Sequence, residues 1–404
     1  MLQAVTRSSK LRGLARRALR IARWPALALL VLIVLALVDG WTAFGHRATG
    51  ARRARMERSP QWKNGHFENP EPLKNDVVGS LTGALASSPH GSPKDQVPVA
   101  AVDVKRFAEP PPRGLRVTWF GHSSLLVEID GRRILTDPVW SERIGPMTYV
   151  GPTRWYAPLV QLLELPAIDA VLVSHDHYDH LDQRTIQAMK GWTSTRFVVP
   201  LGVGAHLAYW GIPEERIVEL DWWETTKVGD VTVACTPARH ASGRQAFDKD
   251  ATLWAGYALV GPAHRVYFSG DTGLFPAMKD VGERYGPFDM TMIETGQYHQ
   301  AWPDWHIGPE QAVVAHKLLR GKVMLPMHWG LVQLAYHGWT EPVERVLAAA
   351  QAKGVTVVTP RPGESVEPDA PKPPERWWPS VEWKGAKDDP IVSTQVPRAL
   401  VEAL

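Results

Sequence analysis

The residues best suited to chemistry lie in one short stretch, Ser174-His175-Asp176-His177-Tyr178-Asp179-His180-Leu181-Asp182. His175 to His180 alone hold three imidazoles and two carboxylates. The stretch follows Ala170-Val171-Leu172-Val173, a β-branched apolar run of the length and composition of a buried strand. On an extended backbone, residues two apart point the same way, so His175 and His177 share a side, while Asp179 and His180 follow beyond a turn. Such a loop can offer two sets of ligands to two adjacent ions. A solvated polar loop would account for one or two histidines, but charge delivered by a core strand is costly unless it is paired or bound to metal.

The same device recurs along the chain. Val231 to Pro237 runs into Ala238-Arg239-His240, Arg265 to Ser269 into Gly270-Asp271-Thr272-Gly273, and Val323 to Met327 into His328-Trp329-Gly330. A parallel or mixed sheet whose strand ends share one edge would gather these groups where open α/β sheets bind ligands. Upstream, Arg116 to Phe120, Ser124 to Ile129 and Arg133 to Thr136 read as a β-meander turning at Gly121-His122-Ser123 and Asp130-Gly131. Asp137 ends that meander and is expected to support the metal loop. His122 is read as a hydrogen-bonding turn residue or a substrate contact. Helices are expected over Gln183 to Lys190, Gly204 to Trp210 and Glu341 to Gly354. Cys235, the single cysteine, excludes an intramolecular disulfide and a thiolate-rich zinc finger, and falls inside a strand as a buried packing residue.

Arg7, Lys10, Arg12, Arg16, Arg17, Arg20 and Arg23 precede an uncharged run from Trp24 to Val38, with apolar character resuming to Phe44. About 20 such residues suffice for a spanning helix. A signal peptide shares the basic start, but no small-x-small cleavage site follows. The expected organisation is a basic segment 1–23, a single-pass anchor 24–44, a linker or arm 45–112 lying on the domain, a globular domain 113–365 and a Pro-rich tail 366–404. Basic residues before the anchor outnumber Arg47, Arg52, Arg53 and Arg55 after it, which places the domain on the non-cytoplasmic side. A net charge of +3, with its basic excess at the N-terminus, gives no ground for a nucleic-acid partner.

The pattern His175-x-His177-x-Asp179-His180 with His240, Asp271 and His328 resembles the ligand set of the metallo-β-lactamase superfamily. Within it, Gly121-His122-Ser123, Leu135-Thr136-Asp137-Pro138, Ser174 to Asp182, His306 to Ala312 and Met327-His328-Trp329-Gly330 resemble the branch of the N-acylphosphatidylethanolamine-hydrolysing phospholipase D. The resemblance covers Leu115 to Pro360, with Phe67 to Pro70 as a candidate extension. It implies an α/β fold, an αβ/βα four-layer sandwich of two mixed sheets with helices outside. It further implies that His175, His177 and His240 hold one divalent ion, and Asp179, His180 and His328 a second, with Asp271 bridging and Asp182 supporting the loop. Imidazole and carboxylate ligands suit Zn²⁺, with iron and manganese compatible. The implied reaction is attack of a metal-bridging hydroxide on a lipid-like phosphodiester, with Asp179 or Asp271 taking up a proton. His306 is expected either to bind an anionic phosphate or to cap its own helix. Trp222 and Trp305, among tryptophans near the site-forming loops, are expected to contact substrate. Lactone, ester or amide hydrolysis on the same metals is the alternative activity, and a non-catalytic membrane-tethered scaffold is the alternative class.

Overall fold

The computed structural model describes residues 22–394 and 396. The basic segment before Ala22 and the last residues of the tail lie outside the described residues. The strands are β1 (Trp62–Lys63), β2 (His66–Phe67), β3 (Leu115–Trp119), β4 (Leu125–Ile129), β5 (Arg132–Thr136), β6 (Ala170–Leu172), β7 (Arg196–Pro200), β8 (Ile217–Leu220), β9 (Thr225–Val228), β10 (Val231–Thr236), β11 (Gly256–Val260), β12 (Arg265–Phe268), β13 (Phe288–Glu294), β14 (Gly321–Met327), β15 (Thr356–Val357) and β16 (Ser365–Val366). The helices are α1 (Ala22–Gly40), α2 (Gly50–Met56), α3 (Val77–Leu85), α4 (Gln183–Ala188), α5 (Gly204–Tyr209), α6 (Ala277–Tyr285), α7 (Pro309–Leu318) and α8 (Glu341–Lys353).

Two seven-stranded mixed sheets carry the fold, in the orders β16-β3-β4-β5-β6-β7-β8 and β15-β14-β13-β12-β11-β10-β9. Each pairs an antiparallel half with a parallel half. In the first, β5 to β8 are parallel. In the second, β12 to β15 are parallel, and β10 shares their direction because it and β12 both run antiparallel to β11. The C-terminal ends of β5, β6, β10, β12, β13 and β14 can therefore meet at one edge.

Period-2 alternation explains the layering. Leu125, Val127 and Ile129 of β4, with Ala170 and Leu172 of β6, face a core shared with Val233, Tyr257 and Phe268 of the other sheet. Leu126, Val171, Phe197 and Val199 point the other way, onto Ile186 of α4 and Leu207 of α5. Burying one side chain of this size contributes about 1.5–3 kcal/mol. Cys235 is buried in β10.

The segment 45–112 carries α2, β1–β2 and α3, and sends Met56, Phe67, Val97 and Phe107 into buried positions. In the tail, Trp377 stacks on Trp329 and, with Trp119 and Trp339, makes a buried aromatic group. The N-terminal helix ends at Gly40 rather than continuing to Phe44. Thr42–Phe44 forms a 3₁₀ turn whose Ala43 is buried, because Trp210 Nε1 donates to Thr42 O at 2.6 Å and draws the turn onto the domain. The helix is long and apolar enough to cross a membrane, and its apolar window is unburied.

Candidate metal centre

The shared edge gathers the histidines and aspartates. After β6, His175 Nε2 and His177 Nδ1 approach to 2.8 Å, and His240 Nε2, beyond β10, lies 3.2 Å from the same His177 nitrogen. Beside them Asp179 Oδ2 lies 3.2 Å from His180 Nε2 and 3.4 Å from His328 Nε2. Asp271 Oδ2 stands between the two groups, 3.0 Å from His180 Nε2, 3.1 Å from His328 Nε2, 3.8 Å from His240 Nε2 and 4.0 Å from His175 Nε2. The structure thus brings together all seven residues expected as ligands.

The outer nitrogens show which way the lone pairs face. Ser174 Oγ donates to Asp137 Oδ2 at 2.6 Å and so accepts from His175 Nδ1 at 2.9 Å. His180 Nδ1 meets Asp137 Oδ2 at 2.7 Å, and His240 Nδ1 donates to Trp305 O at 2.8 Å. With the proton spent outward, Nε2 of His175, His180 and His240 carries an inward lone pair, the arrangement of metal-binding imidazoles. The carboxylate donors agree: Asp271 Oδ1 is buried without a hydrogen-bond partner. The residues present fit divalent ions of the Zn²⁺ type.

Electrostatics point the same way. Burial, reinforced by neighbouring imidazoles, pushes His175 well below its ordinary value. Burial does the same to His240. Burial alone would raise Asp179 and Asp271, but His180 together with the other facing histidines outweighs it and holds the carboxyls well below the usual range. Burial opposes charge on His180 and His328, yet Asp271 above all raises His180 well above its ordinary value and His328 up to about 10, so the carboxylates draw to Nε2 the positive charge that an ion would supply in place of a proton. Two buried carboxylates here require positive charge.

Tight backbone sets these positions. Gly270 precedes Asp271 with φ +56°, and a Cβ there would lie 2.5 Å from Ser174 Cβ. His328 has φ 67°, stabilised by an exchange with the meander turn: His328 N donates to His122 O at 3.0 Å and His122 N to Trp329 O at 3.1 Å. Strain of about 1–3 kcal/mol survives only where the surroundings over-determine it.

Supporting residues separate into two kinds. Asp137 touches the site directly through His180. Asp182 touches no ligand: it caps α4 and accepts from Ser141 N at 2.9 Å and Ser141 Oγ at 2.8 Å, anchoring the loop's far end.

A cleft of about 370 Å³ opens over the site, lined by His177, Asp179, Asp271, His306 and His328, with Asn75, Gln297, Trp302, Trp305 and Leu334. Trp305 lies where a substrate contact requires. Trp222 does not: it is buried in the core, its Nε1 donating to Trp254 O at 2.7 Å. Trp329 and Trp339 are likewise buried. His122 is not a substrate contact either; it is buried behind Asp179, with Nε2 2.9 Å from Asp179 Oδ2. His306 does not cap α7, whose N-cap is Gly308. Its Nδ1 instead lies 2.8 Å from Glu294 Oε2.

Glu294 is the functional residue that sequence reasoning missed. It ends β13, is fully buried, receives the Thr272 amide and lies 3.3 Å from His328 Nδ1. Burial, then Asp271, pushes its carboxyl well above the usual range. The signal was another apolar strand, Phe288 to Ile293, closing on an acid.

The chain matches the beta-lactamase superfamily domain over residues 132–329. It is 46% identical over 375 residues to an uncharacterised protein of Mycobacterium tuberculosis, covering 90% of this chain and 100% of that one. It is 37% identical over 228 residues to the N-acyl-phosphatidylethanolamine-hydrolyzing phospholipase D 1 of Caenorhabditis elegans, covering 54% of this chain and 64% of the relative. Among solved structures, a metallo hydrolase from Ignicoccus hospitalis superposes with a TM-score of 0.50 at 27% identity, over 62% of this chain and 97% of that one. The chain belongs to the metallo-β-lactamase superfamily. It is a metal-dependent hydrolase of that superfamily, and its fold is the α/β sandwich with mixed sheets.

Proposed function

We propose that this hydrolase is a dinuclear phosphodiesterase of phospholipase D type, acting on a lipid-like phosphodiester and held at a membrane by α1. One observation carries the dinuclear reading: two donor groups, His175-His177-His240 and Asp179-His180-His328, both reach Asp271 Oδ2 within 4.0 Å. In this reading the first group and the second each hold one ion, with Asp271 between them. Two such ions supply Lewis-acid charge and lower the pKa of water to about 7.

The chain's own residues would do the rest. His306 is oriented by Glu294 through Nδ1, which leaves Nε2 as its cleft-facing nitrogen and a hydrogen-bonding partner for a phosphoryl or leaving oxygen. Asp179, partly exposed to the cleft and steadied by His122, would accept a proton. Trp302, Trp305 and Leu334 would give the apolar part of the substrate a wall. The Caenorhabditis elegans relative is named for cleavage of a lipid phosphodiester, which favours phosphorus over carbon as the centre attacked. The test is purified full-length chain, loaded with Zn²⁺, assayed in parallel on an N-acylphosphatidylethanolamine, a simple aryl phosphodiester and a lactone. Phosphodiester turnover supports the reading. Lactone turnover alone refutes it and selects carbonyl hydrolysis, which the same donor set could serve.

A further inference from the structure

The foot of α1 is woven into the domain beside the metal loop. Asp39 accepts from Thr148 N at 2.6 Å, and buried Arg244 donates through Nε to Ala43 O at 2.8 Å and through Nη1 to Asp176 O at 2.6 Å and Leu181 O at 2.9 Å. Gly45 (φ +75°) lies so close to His206 that a Cβ would sit 2.0 Å from Nδ1, and His206 Nε2 reaches Asp176 Oδ2 at 3.3 Å. The foot is thus part of the fold, and Asp39, within α1 itself, ties the helix to it. Around it stand exposed apolar side chains: Trp41, Tyr149, Val150 and Phe247, the last 89% exposed.

A second apolar element stands beside the cleft. Asn75 lines the cleft, Asp76 N donates to Ala301 O at 2.8 Å, and α3 follows at once. None of its residues is buried, and Val78, Leu81 and Leu85 are 71%, 65% and 91% exposed. Its orientation is imposed by small residues. A Cβ on Gly83 would lie 2.7 Å from Tyr336 Cδ2, and one on Gly79 3.3 Å from Ala301 Cβ, so the glycine side lies against the domain and the valine and leucine side faces out. That reverses the usual burial of an amphipathic helix. The hydroxyl protons of the helix are turned inward onto its own backbone: Ser80 Oγ donates to Asp76 O at 2.8 Å, and Thr82 Oγ1 to Val78 O and Gly79 O at 3.1 Å.

The α1 foot is joined to a wall of the cleft through one loop and one apolar cluster. At the α1 foot a Cβ on Gly40 would lie 3.3 Å from Pro146 Cβ, and Thr148 N donates to Asp39; Ile144, on the same loop, belongs to the cluster of Val139, Ile144, Val332, Tyr178 and Leu334. Leu334 is itself a wall of the cleft. A bilayer crossed by α1 would therefore lie close to a wall of the cleft.

We propose that α3 is a second membrane contact, an interfacial helix that docks on the lipid surface beside the cleft, so that the cleft opens against the bilayer. A helix of nine residues spans about 13 Å, too short to cross a bilayer, whereas lying in the interface plane it would bury its apolar face about 5–10 Å deep. The docking stands whichever bond is cut, whereas its consequence, that substrate enters sideways from the lipid without leaving it, rests on the lipid phosphodiester reading.

The test uses full-length chain in phosphatidylcholine vesicles, carrying Leu81→Cys, Leu85→Cys or, as a water-facing reference on α6, Lys279→Cys. Because Cys235 is buried, a polarity-sensitive fluorophore reports the introduced thiol. The Leu81 and Leu85 labels are expected to shift to the blue and to lose most of their emission to brominated phosphatidylcholine, with the Lys279 label unchanged. Labels at 81 and 85 as aqueous as that at 279 would overturn the proposal. So would a blue shift that appears equally in detergent without vesicles and grows with protein concentration, since that makes α3 a contact between copies of the chain. Phosphodiester turnover measured in the same vesicles keeps the two readings apart: lipid-buried labels without turnover support the docking and refute the catalytic assignment.

Discussion

Replacing Asp137 by asparagine tests the lone-pair argument on which the metal centre depends. Asp137 Oδ1 accepts from Ser174 N at 2.7 Å, and Oδ2 accepts from both Ser174 Oγ at 2.6 Å and His180 Nδ1 at 2.7 Å. In Asp137→Asn the amide oxygen keeps the Ser174 N contact, but the NH₂ replaces an acceptor with a donor facing two donors. His180 relieves the conflict most easily by moving its proton from Nδ1 to Nε2, which removes the lone pair aimed at Asp271 and His328. Ser174 Oγ then also loses the partner that lets it accept from His175. Loss of such support typically weakens metal binding about 10- to 100-fold, or roughly 1.4–2.7 kcal/mol. Two charge-assisted hydrogen bonds are lost as well, about 1.5–3 kcal/mol each. Competition of Asp137→Asn and the parent against a chromophoric Zn²⁺ chelator measures the first quantity, and urea unfolding of the metal-free proteins the second. Zinc affinity equal to the parent's, alongside a lowered unfolding midpoint, would refute the tautomer argument and reduce Asp137 to a structural turn residue.

Three further outcomes are expected. His306→Ala should lower phosphodiester turnover about 100- to 10,000-fold, the usual range for a positioned proton-transfer or hydrogen-bonding group, while metal content by elemental analysis stays at the parent level. Arg244→Met strands the carbonyls of Ala43, Asp176 and Leu181; at about 1–3 kcal/mol for a stranded buried group it should lower the urea midpoint clearly and open the chain near Thr42 to limited proteolysis. His316, on the buried face of α7 with Thr291 Oγ1 2.7 Å from Nδ1, is pushed by burial, then Lys317, from 6.5 down to about 4. The unfolded chain therefore binds this proton first, so His316 contributes stability above about pH 6.5 that is lost as the pH falls toward 4, up to about 3 kcal/mol at the usual 1.4 kcal/mol per pH unit. His316→Gln should flatten that part of the urea-midpoint profile, and an unchanged slope would refute the assignment.

The chain by itself determined the chemistry of the centre. Ala170 to Val173 running into His175 and His177, and the strands that end at His240, Asp271 and His328, are local patterns, because alternation and β-branching report on neighbours within one strand. Those patterns singled out the donors and a parallel or mixed sheet to gather them, while the sandwich of two sheets followed from the resemblance to the metallo-β-lactamase superfamily. Tertiary structure alone decided what stands around them. Glu294 closes β13 like any strand-end acid, and only packing sets it against His306 and His328. Trp222 and Trp305 look alike in sequence; one donates to Trp254 O in the core, the other borders the cleft. The Pro- and Gly-rich stretch before Leu115 shows no sustained period, yet Asn69 donates to His240 O at 2.7 Å, Asn75 lines the cleft, and the glycines of α3 turn its leucines outward. Such contacts join residues more than a hundred positions apart. They are fixed by which surfaces fill space together, a property that no local spacing records.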